Sequence, residues 1–127
     1  MKVHHIAVVC QSEENADRFY RDLLGLEKIR TFVVSAELSR GCFDFDQSYE
    51  ARTYAGKGMT FEVFVVKNLD APRLRLHHVG LEVEDHQKFL AMCREMGVEV
   101  RQVPKEDRII TMTKDFDGNL FEIKEKA

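Results

Sequence analysis

Four side chains in this 127-residue chain have the types and placement to hold a metal ion. His5 and His78 are the second members of two His-His pairs, in MKVHHIAVV and LRLHHVGLEV, and each opens a strand-like run. Glu62 and Glu122 sit inside apolar runs, MTFEVFVV and NLFEIK. A carboxylate among apolar neighbours is costly to bury unless it is paired, hydrogen-bonded or bound to a cation. Two imidazoles and two carboxylates make an N2O2 set that suits Zn, Ni, Co, Mn or Fe(II) and leaves positions for water or substrate. An open position marks a catalytic metal rather than a structural one. A single strand histidine or glutamate is ordinarily a packed or solvated residue. The metal reading rests on two of each, recurring in the same order.

Strand parity selects the same four. Residues two apart on a strand share a face. His4 goes with Ile6 and Val8, and His77 with Val79, Leu81 and Val83, which are bulky sets expected to pack under a helix. His5 goes with Ala7 and Val9, and His78 with Gly80 and Glu82, where small residues leave room. In the two glutamate strands, Phe61, Val63 and Val65 form one core set, and Phe121 and Ile123 the other. Glu62 and Glu122 face away from those sets, in company with Phe64 and Lys124 respectively.

The elements that must position these groups repeat. Val3–Cys10 reads as a strand. SEENADRFYRDLLG follows with Ala16, Phe19, Tyr20, Leu23 and Leu24 on one helical face, Ser12 as N-cap and Gly25 as the stop. LEKIRTFVVSAEL and GMTFEVFVV are β-rich. The second half repeats the order: a strand from Leu76 to Val83, then a helix in DHQKFLAMCREMG with Asp85 near its start and Gly97 at its end. Strands follow at VEVRQV, RIITMT and NLFEIK, and the DG of FDGN marks a hairpin turn. The helix-ending glycine comes 20 residues after His5 and 19 after His78. The expectation is an α+β fold, a single domain of two tandem βαβββ modules spanning 1–70 and 74–127, with a short linker around Pro72. The extra residues of the first half, SRGCFDFDQSYEARTYAGKG (39–58), read as a long connection or surface loop. Arg40, Arg52 and Lys57 in or beside it are candidates to hold an anionic substrate tail, and Phe64 to line a substrate cleft.

Composition narrows the class. With 19 Lys+Arg against 22 Asp+Glu the net charge is -3, which speaks against a nucleic-acid partner. No apolar run reaches the roughly 18 residues of a membrane span. No signal peptide is evident, and Cys10, Cys42 and Cys93 form neither a disulfide framework nor a CxxC pair, so a reduced, cytoplasmic chain is expected.

The segments HHIAVVCQSEENADRFYRDLLGLE, HHVGLEV and KDFDGNLFEI make the chain resemble the vicinal oxygen chelate superfamily. That group includes glyoxalase I, methylmalonyl-CoA epimerase, fosfomycin and bleomycin resistance proteins, and extradiol dioxygenases. The resemblance covers essentially the whole chain. It implies two βαβββ modules forming a curved mixed sheet around a metal cleft, with His5, Glu62, His78 and Glu122 as ligands, a set most like that of glyoxalase I. Two features of glyoxalase I are missing. IAVVC has no arginine, and Val63–Lys67 has no asparagine. The implied chemistry is chelation of two neighbouring substrate oxygens, Lewis-acid stabilisation of an enediolate or enolate, and proton transfer by Glu122 or Glu62. A divalent-metal-dependent lyase or isomerase acting on a small α-oxygenated carbonyl compound is therefore expected, working as a homodimer. The alternatives are a non-enzymatic small-molecule binding or resistance protein and an Fe(II)-dependent dioxygenase, in which two histidines and one carboxylate would form the triad.

Overall fold

A computed structural model describes residues 2–68 and 77–126. The chain divides into two compact units, Met1–Asp70 and Ala71–Ala127. The Pro72 linker and Leu76, the first residue of the expected strand, lie outside the described residues.

The first unit contains β1 (Ile6–Cys10), α1 (Glu13–Ala16), a π-helical continuation (Asp17–Leu23), β2 (Glu27–Val34), α2 (Ala36–Phe43), β3 (Tyr49–Gly56) and β4 (Met59–Val65). The second contains β5 (His78–Val83), α3 (His86–Met96), β6 (Val100–Lys105), β7 (Arg108–Lys114) and β8 (Leu120–Glu125). Each unit has one four-stranded mixed sheet, in the orders β1-β4-β3-β2 and β5-β8-β7-β6. The first and last strands of each unit therefore lie side by side and parallel, while the remaining pairs are antiparallel. A parallel pair needs a crossover, which the helix supplies. The α+β class and the repeated order are those the sequence predicts.

The caps explain where the helices start and stop. Ser12 accepts from the Asn15 amide at 3.1 Å, and Asp85 from the Lys88 amide at 3.0 Å, each satisfying an amide the first turn leaves open. Gly25 and Gly97 follow with φ of 73° and 74°, the left-handed turn that glycine adopts without penalty. The first helix departs from a plain α-helix at Asp17. It continues with hydrogen bonds five residues apart, and Phe19 and Tyr20 on it are both fully buried.

The segment 39–58 is not a loop. Ser35 caps α2 by accepting from the Leu38 amide at 3.1 Å, and β3 begins at Tyr49. The first unit is thus a βαβββ module with an added helix, and the β-run expected through SAEL ends at Val34. The hydroxyl at 35 and the acid at 37 are a helix start that the apolar run VV had masked.

The parity argument holds for most of the core sets. Phe61 and Val63 of β4, and Phe121 and Ile123 of β8, are buried, as are Phe19 and Tyr20 in one unit and Phe89, Leu90 and Cys93 in the other, while Val65 is only half-buried. In the first unit Tyr20 packs on Phe61 and Tyr54, with ring centroids 5.1 and 5.7 Å apart. Burying each of these large side chains contributes about 1.5–3 kcal/mol. His4 and His77 correct the expectation, because both are exposed rather than packed under a helix. β1 and β5 begin after them, at Ile6 and His78, so no sheet holds them in place. Among the described residues no helix is long and apolar enough to cross a membrane.

Candidate functional site

β4 pairs with β1 in the register Ala7↔Glu62, and β8 pairs with β5 in the register Gly80↔Glu122. Each histidine lies two residues before the small residue that sits beside the glutamate. The repeat is therefore one of register as well as of sequence. His5 Nε2 lies 3.4 Å from Glu62 Oε2, and His78 Nε2 lies 3.8 Å from Glu122 Oε1. The glutamates are largely covered, at 23% and 21% side-chain exposure, and the histidines half-open at 39% and 42%.

Two donor atoms bound to one cation through bonds of about 2.0–2.2 Å lie roughly 3–4 Å apart. Both pairs have that spacing, with one nitrogen and one oxygen each, and so fit a divalent metal. Among the described residues no three His, Cys, Asp or Glu side chains cluster, so each unit on its own supplies a pair. Nδ1 of His5 is 2.9 Å from Nδ1 of His4. When His5 donates that bond, its Nε2 carries the lone pair a cation requires.

The position of Glu122 is fixed by the turn before it. Asp115, which is buried, accepts from the amides of Asp117 and Asn119, both at 2.9 Å, and from the Asn119 side chain at 2.7 Å. Gly118 takes φ 89° within that turn. The DFDGN segment thereby sets the start of β8 two residues before Glu122. Lys124 Nζ approaches Glu122 Oε2 at 3.2 Å, an ion pair for which no counterpart is seen at Glu62 among the described residues.

The surroundings of the pairs differ from expectation in one group of residues. Phe64 shares the face of Glu62 and touches Phe43 of α2 edge-on at 5.8 Å. Arg52 does not share it. It pairs with Val63, on the helix side, and binds Glu13 at 2.9 Å and Glu50 at 3.2 Å. Lys57 donates to the carbonyl of Leu24 at 2.9 Å, and Arg40 pairs with Asp46. All three expected anion-binding cations are thus engaged within the fold. Arg52 and Lys28 together hold Glu13, whose carboxyl they lower to about 2, the Arg52 hydrogen bond being the larger cause. Tyr54 donates to Asp17 at 2.7 Å in the same cluster, and burial pushes its phenol upward. Tyr20 is core, as expected, and Glu82 is exposed.

Sequence reasoning missed a different cation. Arg30 pairs with Thr53, and Thr53 with Glu62, so Arg30 is on the glutamate's face. Simple alternation would have put Arg30 on the same face as Lys28, but a β-bulge between them separates the two. In the second unit, a cavity of about 230 Å³ is lined by Val103, Met112, Thr113 and Leu120, together with Glu99, Arg101 and Lys114. Met112 pairs with Glu122, which places that cavity beside the second His–Glu pair.

Comparison with known proteins extends these observations. Among solved structures, the chain resembles a glyoxalase family protein from Enterococcus faecalis at 20% identity and TM-score 0.70, covering 96% of this chain and 95% of that one. It resembles the trypanothione-dependent glyoxalase I of Leishmania major at 15% identity and TM-score 0.72, covering 98% and 86%. It also resembles a variant of the fosfomycin resistance protein FosX from Listeria monocytogenes, complexed with Mn(II) and 1S,2S-dihydroxypropylphosphonic acid. There the identity is 15% and the TM-score 0.71, covering 97% and 88%. No curated protein sequence matches the chain. A sequence profile of the glyoxalase/bleomycin resistance protein/dioxygenase superfamily matches residues 4–111. With its paired parallel end strands and repeated module order, the chain belongs to that superfamily, the vicinal oxygen chelate proteins.

Proposed function

We propose that this protein is a divalent-metal-dependent lyase or isomerase acting on a small α-oxygenated carbonyl compound. His5, Glu62, His78 and Glu122 are its metal ligands. The observation that carries this reading is the recurrence of a His–Glu pair at the same register in both modules, at 3.4 and 3.8 Å. A solvated surface pair has no reason to recur in this way. The superfamily includes metal-dependent enzymes, and the FosX structure holds Mn(II) on a similar fold.

When bound, the cation supplies Lewis acidity to two neighbouring oxygens of the substrate. The residues supply the rest. His5, just before β1, and His78, the first residue of β5, present the nitrogen donors. Glu62 and Glu122 serve as ligands, and one of them takes the proton next to the carbonyl, since a carboxylate beside the bound substrate is within reach of it. Phe64 and Phe43 form an aromatic wall beside Glu62 that shields the reacting atoms from water. The apolar cavity around Met112 and Leu120 accepts hydrocarbon from the substrate.

The test is elemental analysis after equilibration with Mn(II), Ni(II), Co(II), Zn(II) and anaerobic Fe(II), paired with thermal melting. About one metal per chain and a raised melting temperature are expected for at least one of these cations. His78→Ala should abolish stoichiometric binding. A wild-type protein that retains none of them and melts unchanged would refute the proposal.

A further inference from the structure

The sheet of the first module carries a cation that nothing in its own fold uses. Three basic residues lie on this sheet, Lys28 and Arg30 on β2 and Arg52 on β3. Lys28 is tied to Glu13 and Asp17 at 2.8 and 3.0 Å, and Arg52 to Glu13 and Glu50. Arg30 is exposed, and among the described residues it makes no ion pair or hydrogen bond. Its guanidinium lies over Phe32, whose ring centroid is 4.4 Å from the guanidinium carbon. A cation held over an aromatic face is restrained without being neutralised.

Its placement is set by register. Ala7, Glu62, Thr53 and Arg30 form one row across β1, β4, β3 and β2. Val9, Phe64, Ala51 and Phe32 form the next row on the same face. Arg30 is therefore two strands from Glu62, about 10 Å at the backbone, and its long side chain can close much of that gap. Thr53, lying between them, is small and puts no charge in the way.

We propose that Arg30, steadied by Phe32, binds an anionic group at the far end of the substrate. This rests on the proposed metal reading, because it takes Glu62 as marking the chelated end. The substrate class is narrowed accordingly to α-oxygenated carbonyl compounds that carry a second, distal anion a few carbons from the chelated oxygens. Arg30 is a binding residue here, and its planar fork suits a carboxylate or phosphate bidentately.

The experiment compares ligand pairs that differ only at the distal end. The Mn(II)-loaded protein is titrated calorimetrically with 2-oxoglutarate and 2-oxoadipate, and with 2-oxopentanoate and 2-oxohexanoate, which end in a methyl group instead of a carboxylate. The wild type should favour the dicarboxylates by about tenfold, as expected for a charge-assisted contact at a partly open site. Arg30→Met should level that preference while leaving Mn(II) affinity and melting temperature unchanged. Arg30→Lys should keep part of it. A wild type that does not discriminate, that binds neither class, or whose preference survives Arg30→Met overturns the proposal. Wild type that fails to take up Mn(II) overturns the metal reading itself, and this subsite with it. Loss of the preference with Mn(II) uptake intact is thus specific to Arg30.

Discussion

The two modules present the same His–Glu pair on unlike foundations. The first fixes its helix with Tyr20 packed at a tilt against Tyr54 and Phe61, and with a cluster of Glu13, Asp17, Lys28, Arg52 and Tyr54. The second does so with Phe89, Leu90, Cys93 and two buried threonines. Thr113 donates to the Glu99 carbonyl at 2.6 Å, and burial raises the Cys93 thiol to about 11. Histidine-to-glutamate distance, glutamate burial and strand register nonetheless agree closely. Conserving the pair therefore depends on the parallel end strands, while the packing behind them is free to differ.

That contrast can be broken in several ways. If the pairs are equivalent, His5→Ala and His78→Ala should each abolish stoichiometric metal by elemental analysis. Retention by one variant alone would show that the halves are unequal. Phe61 and Phe121 precede the two glutamates and are both fully buried. Replacing either with Ala should cost about 3–5 kcal/mol in urea unfolding, because each leaves a large cavity. A much smaller loss in the second module would mean that its mixed core collapses around the gap. Tyr54→Phe should cost roughly 1–2 kcal/mol by removing the donor to Asp17, and Thr113→Val about 1 kcal/mol by leaving the Glu99 carbonyl short of a partner.

The smallest effect is at Glu13. Its carboxyl is lowered in the folded state to about 2 from an unfolded value near 4.5. Its stabilising contribution is therefore fully present above about pH 4.5 and is lost as pH falls through about 2. Denaturation of wild type and Glu13→Gln should differ at neutral pH and converge in acid. Curves that stay parallel throughout would show that the Arg52 and Lys28 contacts to Glu13 do not stabilise the fold.

Much of this was legible in the sequence because it follows from period. The alternation in MTFEVFVV and NLFEIK set Glu62 and Glu122 apart from their buried neighbours, and the Ser12 and Asp85 caps and glycine stops marked the two main helices. What escaped was non-local or aperiodic. Ser35 began a helix inside an apolar run. The partner of Arg52 is 39 residues away, at Glu13. β1 begins only at Ile6, so strand parity did not fix His4 or His5.

The bulge beside Ile29 has a consequence for how relatives should be compared. One inserted residue breaks the alternation of β2, so that Lys28 braces the helix while Arg30 lies on the other face. A homologue without the insertion would have to shift one of these charges by a single place to keep both roles. Read column by column, an alignment would score that shift as the loss of a basic residue when the surface chemistry had been preserved.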